Sequence, residues 1–188
     1  PYEPLVTVKG KLIEAQLLET FLLVTINHQS LIATKTHRIV QEAKGRPVME
    51  FGARRAQGYD GATYGARAAY IGGAAGTATV SAGQAFGIPV LGTMAHSFVQ
   101  SFDTEYDAFK AYAEIYPDSC ILLVDTYDTL KSGIPNAIRV AEEVLQPMGK
   151  TLAGIRIDSG DIAYLTKKAR MMLDVAGLTN TKISISNS

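Results

Sequence analysis

The feature that most constrains the fold of this chain is an alternation. Six short apolar runs, Pro47–Phe51, Thr77–Val80, Ile88–Leu91, Cys120–Asp125, Leu152–Asp158 and Lys182–Ser186, are separated by stretches of helical character. Among the intervening segments, Gly61–Ile71 is an Ala-rich helix and Ser81–Phe86 reads as one short turn of helix. Pro135–Met148 and Asp161–Ala176 each carry an apolar stripe at spacings of three and four, which is helix periodicity. Strands alternating with helices imply a parallel sheet joined by crossover helices, an α/β fold. The segments that follow the apolar runs choose between an open sheet and a barrel. Gly52–Arg55, Gly92–Ser97, Thr126–Thr129 and Ser159–Asp161 are polar, charged or glycine-rich. A barrel gathers all such segments at the C-terminal mouth of its strands, whereas an open sheet uses one switch point. The expected fold is therefore an α/β barrel, incomplete because six strands fall short of eight.

Ahead of the alternation, residues 11–43 read as one long helix, with Ile13, Leu17, Phe21, Val24 and Leu31 at helical spacing and Gly45 and Pro47 as its stop. This divides the chain into an N-terminal segment, residues 1–46, and a partial barrel, residues 47–188. The greasiest part of the helix, Leu12–Ile26, contains Glu14, Gln16 and Glu19. That is too polar for a membrane span of about 20 residues and suggests a helix packed on several sides. Later helices carry their own punctuation: Thr104 and Asp107 at capping-box spacing, Asp161 as an N-cap and Gly177 as a C-terminal stop.

The 188 residues carry 18 Lys+Arg against 18 Asp+Glu, and this balance argues against a nucleic-acid partner, which selects a basic surplus. The one cysteine, Cys120, excludes an internal disulfide framework and suits a reducing cytoplasm. It reads as a small apolar residue opening a strand. The chain opens on Pro1 rather than Met and closes at Ser188 directly after an apolar run. It is thus expected to be a part of a longer protein, exposing apolar edges and associating in isolation.

The chemistry-bearing residues collect at the strand ends. Arg54 or Arg55, with Arg156, can clamp a phosphate or carboxylate through paired N–H donors. Asp125 and Asp158 end successive runs and can hold sugar hydroxyls or Mg²⁺. The glycines at 72–76 and the Ser159-Gly160 pair would let backbone N–H groups approach an anion, although close helix packing is the favoured reading for the first set, which follows a helix rather than a strand. Asp128 can cap a turn. His28 and His37 lie within the long helix, where a hydrogen-bonded structural role is expected, whereas His96 follows a strand in a loop of small residues beside Ser97. That position leaves its imidazole free to act as nucleophile or base. No three-ligand zinc spacing, Gly-x-Ser-x-Gly elbow or Gly-Lys-Ser/Thr loop occurs.

Four segments together point to a family. Glu50-Phe51-Gly52-Ala53-Arg54-Arg55-Ala56-Gln57-Gly58, Gly92-Thr93-Met94-Ala95-His96-Ser97, Val124-Asp125-Thr126-Tyr127-Asp128-Thr129 and Gly154-Ile155-Arg156-Ile157-Asp158-Ser159-Gly160-Asp161 resemble, in order and spacing, the nicotinate phosphoribosyltransferases. The resemblance implies a type II phosphoribosyltransferase barrel in which His96 is phosphorylated by ATP. It implies that Phe51 stacks on the pyridine ring, and that Arg54 and Arg156 lie near the substrate carboxylate and phosphoribosyl pyrophosphate. Asp125 and Asp158 would hold ribose hydroxyls and Mg²⁺, with Ser97, Ser159 and Gly160 in the same loops. The implied partners are nicotinate, phosphoribosyl pyrophosphate and ATP, in a homodimer where an N-terminal region supplies a second stacking aromatic.

One position departs from the pattern. Relatives acting on nicotinate usually offer a hydroxyl where this chain has Ala78, and relatives acting on nicotinamide an acidic residue. Ala78 disfavours nicotinamide without contacting a carboxylate. The alternatives are thus a nicotinamide or quinolinate phosphoribosyltransferase and, in a different class, a non-catalytic barrel fragment. An unrelated barrel lyase or isomerase would want a lysine or a paired carboxylate at the mouth, and no apolar run here ends in a lysine.

Overall fold

The alternation becomes two small parallel sheets. The computed structural model describes residues 3–186 and divides into two compact units, one up to Gly92 and one from Thr93 onward.

The first unit begins with α1 (Leu12–Glu42), which stops where the sequence predicts: Lys44 and Gly45 turn the chain at φ values of 50° and 83°. β1 (Met49–Glu50) leads into α2 (Gly58–Ile71), which returns to β2 (Gly76–Thr77) in parallel register, Met49 opposite Gly76 and Glu50 opposite Thr77. α2 lies close to α1 because its inner face is small: Gly65, Ala66, Ala68 and Ala69 are buried. The glycines after it serve the same contact. A Cβ on Gly72 would sit 2.5 Å from the carbonyl oxygen of Ala33, and one on Gly73 3.3 Å from Val40. The N–H groups of Gly72, Gly73, Ala74 and Ala75 are all taken by backbone carbonyls. The glycine-rich stretch is helix packing, not an anion cradle.

Three expectations for this unit are corrected. The Thr77–Val80 run is not a strand throughout: the ladder ends at Thr77 and α3 (Val80–Phe86) begins three residues later, because the Thr77 hydroxyl accepts from the N–H of Thr79 and turns the chain. The Ile88–Leu91 run contributes only a single parallel bridge, Val90 to Thr77, held by Thr77 N–H to Pro89 O and Leu91 N–H to Thr77 O. Nor is α1 packed on several sides. None of its residues is buried, and Leu17 and Phe21 stand 77% and 66% exposed. The apolar spacing was helical, but α2 covers only part of it.

The second unit carries the larger core. α4 (His96–Gln100) and α5 (Glu105–Ile115) precede β3 (Ile121–Leu123). β3, β4 (Gly154–Ile157) and β5 (Lys182–Ile185) form a parallel sheet in that order, with α7 (Ile162–Val175) crossing from β4 to β5. Leu122, Val124, Ile155 and Ile157 are fully buried against Phe109, Ile134, Leu145 and Leu173. The predicted caps form: Asp107 N–H to Thr104 Oγ1 at 3.1 Å, Tyr164 N–H to Asp161 Oδ1 at 3.0 Å, and Gly177 at φ 75°.

The connection from β3 to β4 starts earlier than the apolar stripe indicated. Asp128 accepts from the N–H groups of Leu130 and Lys131, so a π-helical turn (Thr129–Gly133) precedes α6 (Ile134–Val140). A second π-turn (Ala141–Leu145) and a 3₁₀ turn (Gln146–Met148) complete it. Gly133 is required there, since a Cβ would fall 1.9 Å from the Val124 carbonyl oxygen. Among the described residues no helix is long and apolar enough to cross a membrane.

Candidate active site

The ends of β3, β4 and β5 and the start of α4 bring one group of polar side chains together. Hydrogen bonding between β3 and β4 continues past Leu123, with Val124 N–H donating to Arg156 O at 3.1 Å, and this sets Asp125 level with the end of β4. The Asp125 side chain is only 2% exposed, and a buried carboxylate requires partners. Its Oδ2 accepts from the Asp158 N–H at 3.0 Å and from the Ser159 hydroxyl at 2.5 Å. Its Oδ1 lies 3.1 Å from His96 Nε2.

His96 is thus neither in a loop nor unpartnered. It is the first residue of α4, its ring about a third exposed and held by Asp125. An ionised carboxylate only accepts, so Nε2 is the donor toward Asp125 and Nδ1 is the ring nitrogen left to act. Nδ1 has no partner among the described residues. The arrangement, a nucleophilic nitrogen oriented by a buried carboxylate, is that of an activated nucleophile or base. His28 and His37 show no side-chain hydrogen bond among the described residues, so their expected bonded role is not what holds α1.

Arg156 differs from the clamp expected of it. Its Nε donates to Ser186 Oγ at 2.9 Å, its Nη1 to Thr93 Oγ1 at 2.8 Å and Met94 O at 3.4 Å, and its Nη2 lies 3.3 Å from Asp158 Oδ1. The guanidinium is a strut tying the segment before His96 to the end of β4. Asp158 Oδ1 also accepts from the Ser186 hydroxyl. Burial pushes the Asp158 carboxyl up, but the Ser186 hydroxyl, Arg156 and His96 outweigh it and hold the group below its ordinary value. Beyond Asp158, Gly160 sits at φ 81°, a left-handed conformation that favours glycine. Ser97, the second residue of α4, is exposed.

Whether these residues suit Mg²⁺ turns on which carboxylate oxygens are spent. Both oxygens of Asp125 accept from protein donors and its side chain is only 2% exposed, so little of it is left to reach an ion. Asp158 fits through Oδ2, which accepts nothing among the described residues. Among those residues no cluster of three or more His, Cys, Asp or Glu could hold an ion. Asp158 Oδ2 is a hard oxygen donor of the kind Mg²⁺ takes beside waters and substrate phosphates.

The first unit has a strand-end network of its own. Glu50 accepts from the Gly52 N–H and, at 2.6 Å, from the Thr77 hydroxyl, which fixes the turns that carry Phe51 and Ala78. Ala78 is exposed, its N–H donating to Glu50 O at 2.9 Å. Arg54 lies in a one-turn 3₁₀ segment (Ala53–Arg55) and is exposed. Sequence reasoning missed Glu50, Thr77, Thr93 and Ser186. The family segments contained Glu50 and Thr93, but the roles of all four depend on strand register, which no local signal carries.

Residues 47–183 match the family described as "Nicotinate phosphoribosyltransferase (NAPRTase) family". The nicotinate phosphoribosyltransferase of Bacillus subtilis (strain 168) is 55% identical over 185 residues, 98% of this chain and 37% of that protein. The pncB2 nicotinate phosphoribosyltransferase of Mycobacterium tuberculosis is 49% identical over 187 residues, 100% of this chain and 40% of that protein. Among solved structures, human nicotinic acid phosphoribosyltransferase superposes with a TM-score of 0.83 at 33% identity, covering 100% of this chain and 48% of that one. Nicotinate-nucleotide pyrophosphorylase from Pyrococcus furiosus gives a TM-score of 0.73 at 29% identity, covering 86% and 41%. The chain therefore spans less than half the length of each of these relatives.

Proposed function

The chain belongs to the nicotinate phosphoribosyltransferase family, and on that premise we propose that it is the central barrel portion of an enzyme joining nicotinate to a phosphoribosyl group. The observation that carries the reading is the His96–Asp125 pair, an imidazole about a third exposed and oriented by a carboxylate at the end of a parallel strand.

In this reading His96 Nδ1 attacks the terminal phosphorus of ATP, forming an N–P bond as the P–O bond to ADP breaks. Asp125 holds Nε2–H and balances the positive charge that builds on the ring. Water later cleaves the phosphohistidine, and the energy released favours the mononucleotide. In the transfer itself the nicotinate ring nitrogen bonds to the anomeric carbon as the bond from that carbon to pyrophosphate breaks. Asp158, ionised at neutral pH, stabilises the positive charge developing on the ribose, and fixed charges of this type contribute several kcal/mol to such barriers, about 3–4 per group. Mg²⁺, held through Asp158 Oδ2, would offset the charge on departing pyrophosphate. Phe51 and Arg54 serve the pyridine ring and its carboxylate, Ser97 lies beside the phosphorylated ring, and Ser159 and Gly160 line the ribose-phosphate side. Ala78 offers no acceptor for an amide N–H, which favours nicotinate over nicotinamide. We place the enzyme in the cytoplasm, as a homodimer.

The test incubates the longest natural form of the protein with phosphoribosyl pyrophosphate, Mg²⁺ and either nicotinate or nicotinamide, with and without ATP. Mononucleotide from nicotinate, raised by ATP, is expected, with the ATP effect lost in His96→Ala. No product from nicotinate would overturn the function, and full ATP dependence in His96→Ala would overturn the role of that residue.

A further inference from the structure

Ser186 lies one residue beyond β5, where its N–H donates to Ile157 O at 3.0 Å and continues the parallel ladder. β5 pairs with β4 as Arg156 opposite Ser184 and Ile157 opposite Ile185, so the next step sets Ser186 beside Asp158. Arg156 and Asp158 are two residues apart on an extended strand and share one face. The Ser186 hydroxyl meets both: it accepts from Arg156 Nε at 2.9 Å and donates to Asp158 Oδ1. A hydroxyl can accept from a guanidinium and donate to a carboxylate at once, whereas a methyl group does neither and a carboxylate would repel Asp158. Both charged partners are largely buried, their side chains 13% and 16% exposed, so water substitutes poorly for the hydroxyl.

We propose that Ser186 is a positioning residue for phosphoribosyl transfer, its hydroxyl locking Arg156 and Asp158 so that Asp158 Oδ2 presents itself to the ribose-phosphate substrate. The lock reaches further than its own strand. Arg156 holds Thr93 Oγ1 and Met94 O, two and three residues before His96, and the Asp158 N–H is bound by the same Asp125 that orients His96. Loss of the hydroxyl frees one oxygen of Asp158 to rotate and loosens the arginine from its side. The sheet itself, held by backbone bonds, stays in place.

This inference rests on the proposed transfer reaction, and the experiment separates the two. Ser186→Ala and Ser186→Thr are compared with the parent in the longest natural form of the protein. The readouts are steady-state kinetics, the thermal midpoint and the Nε–H resonance of Arg156 in arginine-labelled protein. In Ser186→Ala the KM for phosphoribosyl pyrophosphate is expected to rise about tenfold, the scale of a lost hydrogen bond to a charged group. The KM for nicotinate and the thermal midpoint should move little, and the Arg156 resonance should shift. Thr, which keeps the hydroxyl, should restore both. An unchanged KM and resonance in Ser186→Ala would overturn the proposal. So would equal losses in Ala and Thr with a lowered thermal midpoint, the mark of a merely structural residue. If the parent makes no mononucleotide, the function proposed above fails. The lock is then judged by the resonance alone, which must still move in Ala and return in Thr.

Discussion

Cys120 shows how burial decides the chemistry of a single residue. It is fully buried, and burial pushes its thiol from 9.0 up to about 12. The thiolate is the reactive form, so a disulfide reagent at pH 8 should leave the native protein unmodified and react fully once denaturant is added. The same shift sets a pH dependence. The folded state keeps its proton where the unfolded state loses it, so this contribution is complete below about pH 9 and falls as pH rises toward about 12. Denaturant melts at pH 8 and pH 10.5 would show it as a lower midpoint at the higher pH. The sequence predicted an apolar residue in Cys120, and the structure agrees. It predicted a free imidazole in His96 and a substrate clamp in Arg156. Both residues are instead engaged with partners 29 and more positions away, contacts that no spacing along the chain could announce.

Elements with local punctuation were read well, because a cap is decided within four residues. The Thr104 and Asp161 caps and the Gly45 and Gly177 stops form as the sequence indicates. Elements that depend on a neighbour were read less well. The helical connection after β3 opens with a π-turn capped by Asp128, in which Gly133 passes close under the Val124 carbonyl, and the apolar stripe begins only after that point. Gly133→Ala places a methyl where backbone already stands. It should cost about 1–3 kcal/mol through forced displacement, seen as a lower denaturation midpoint, whereas Gly149→Ala, with nothing within 4 Å of the added carbon, meets only its own backbone strain at φ 69°. A midpoint for Gly133→Ala equal to the parent's would show that the close approach does not hold in solution.

Across the whole molecule, composition and periodicity indicated a parallel α/β chain behind one long helix, and both are present. Contrary to the several-sided packing expected of it, α1 leaves apolar side chains uncovered: Leu12, Ile13, Leu17, Phe21 and Val24 are all more than 60% exposed. A continuous apolar stripe of this kind drives association, so light scattering on the isolated chain should report a mass above one copy that falls on Leu17→Glu with Phe21→Glu. A monodisperse monomer would contradict this.

What the sequence by itself determined is whatever short-range chemistry specifies: the broad alternation of helical and extended segments, the ends of those helices that carry their own caps and stops, and which family the four strand-end segments resemble. Only the tertiary structure decided which of those strand-end groups spend their hydrogen-bonding capacity on one another. Asp125 faces inward to His96 and Ser159, Arg156 becomes a strut, and Asp158 keeps one oxygen for something else. The reason is geometric. A side chain's partner across a parallel sheet is fixed by register between strands separated by a whole crossover helix, and that register follows from packing the core rather than from any residue nearby in the chain.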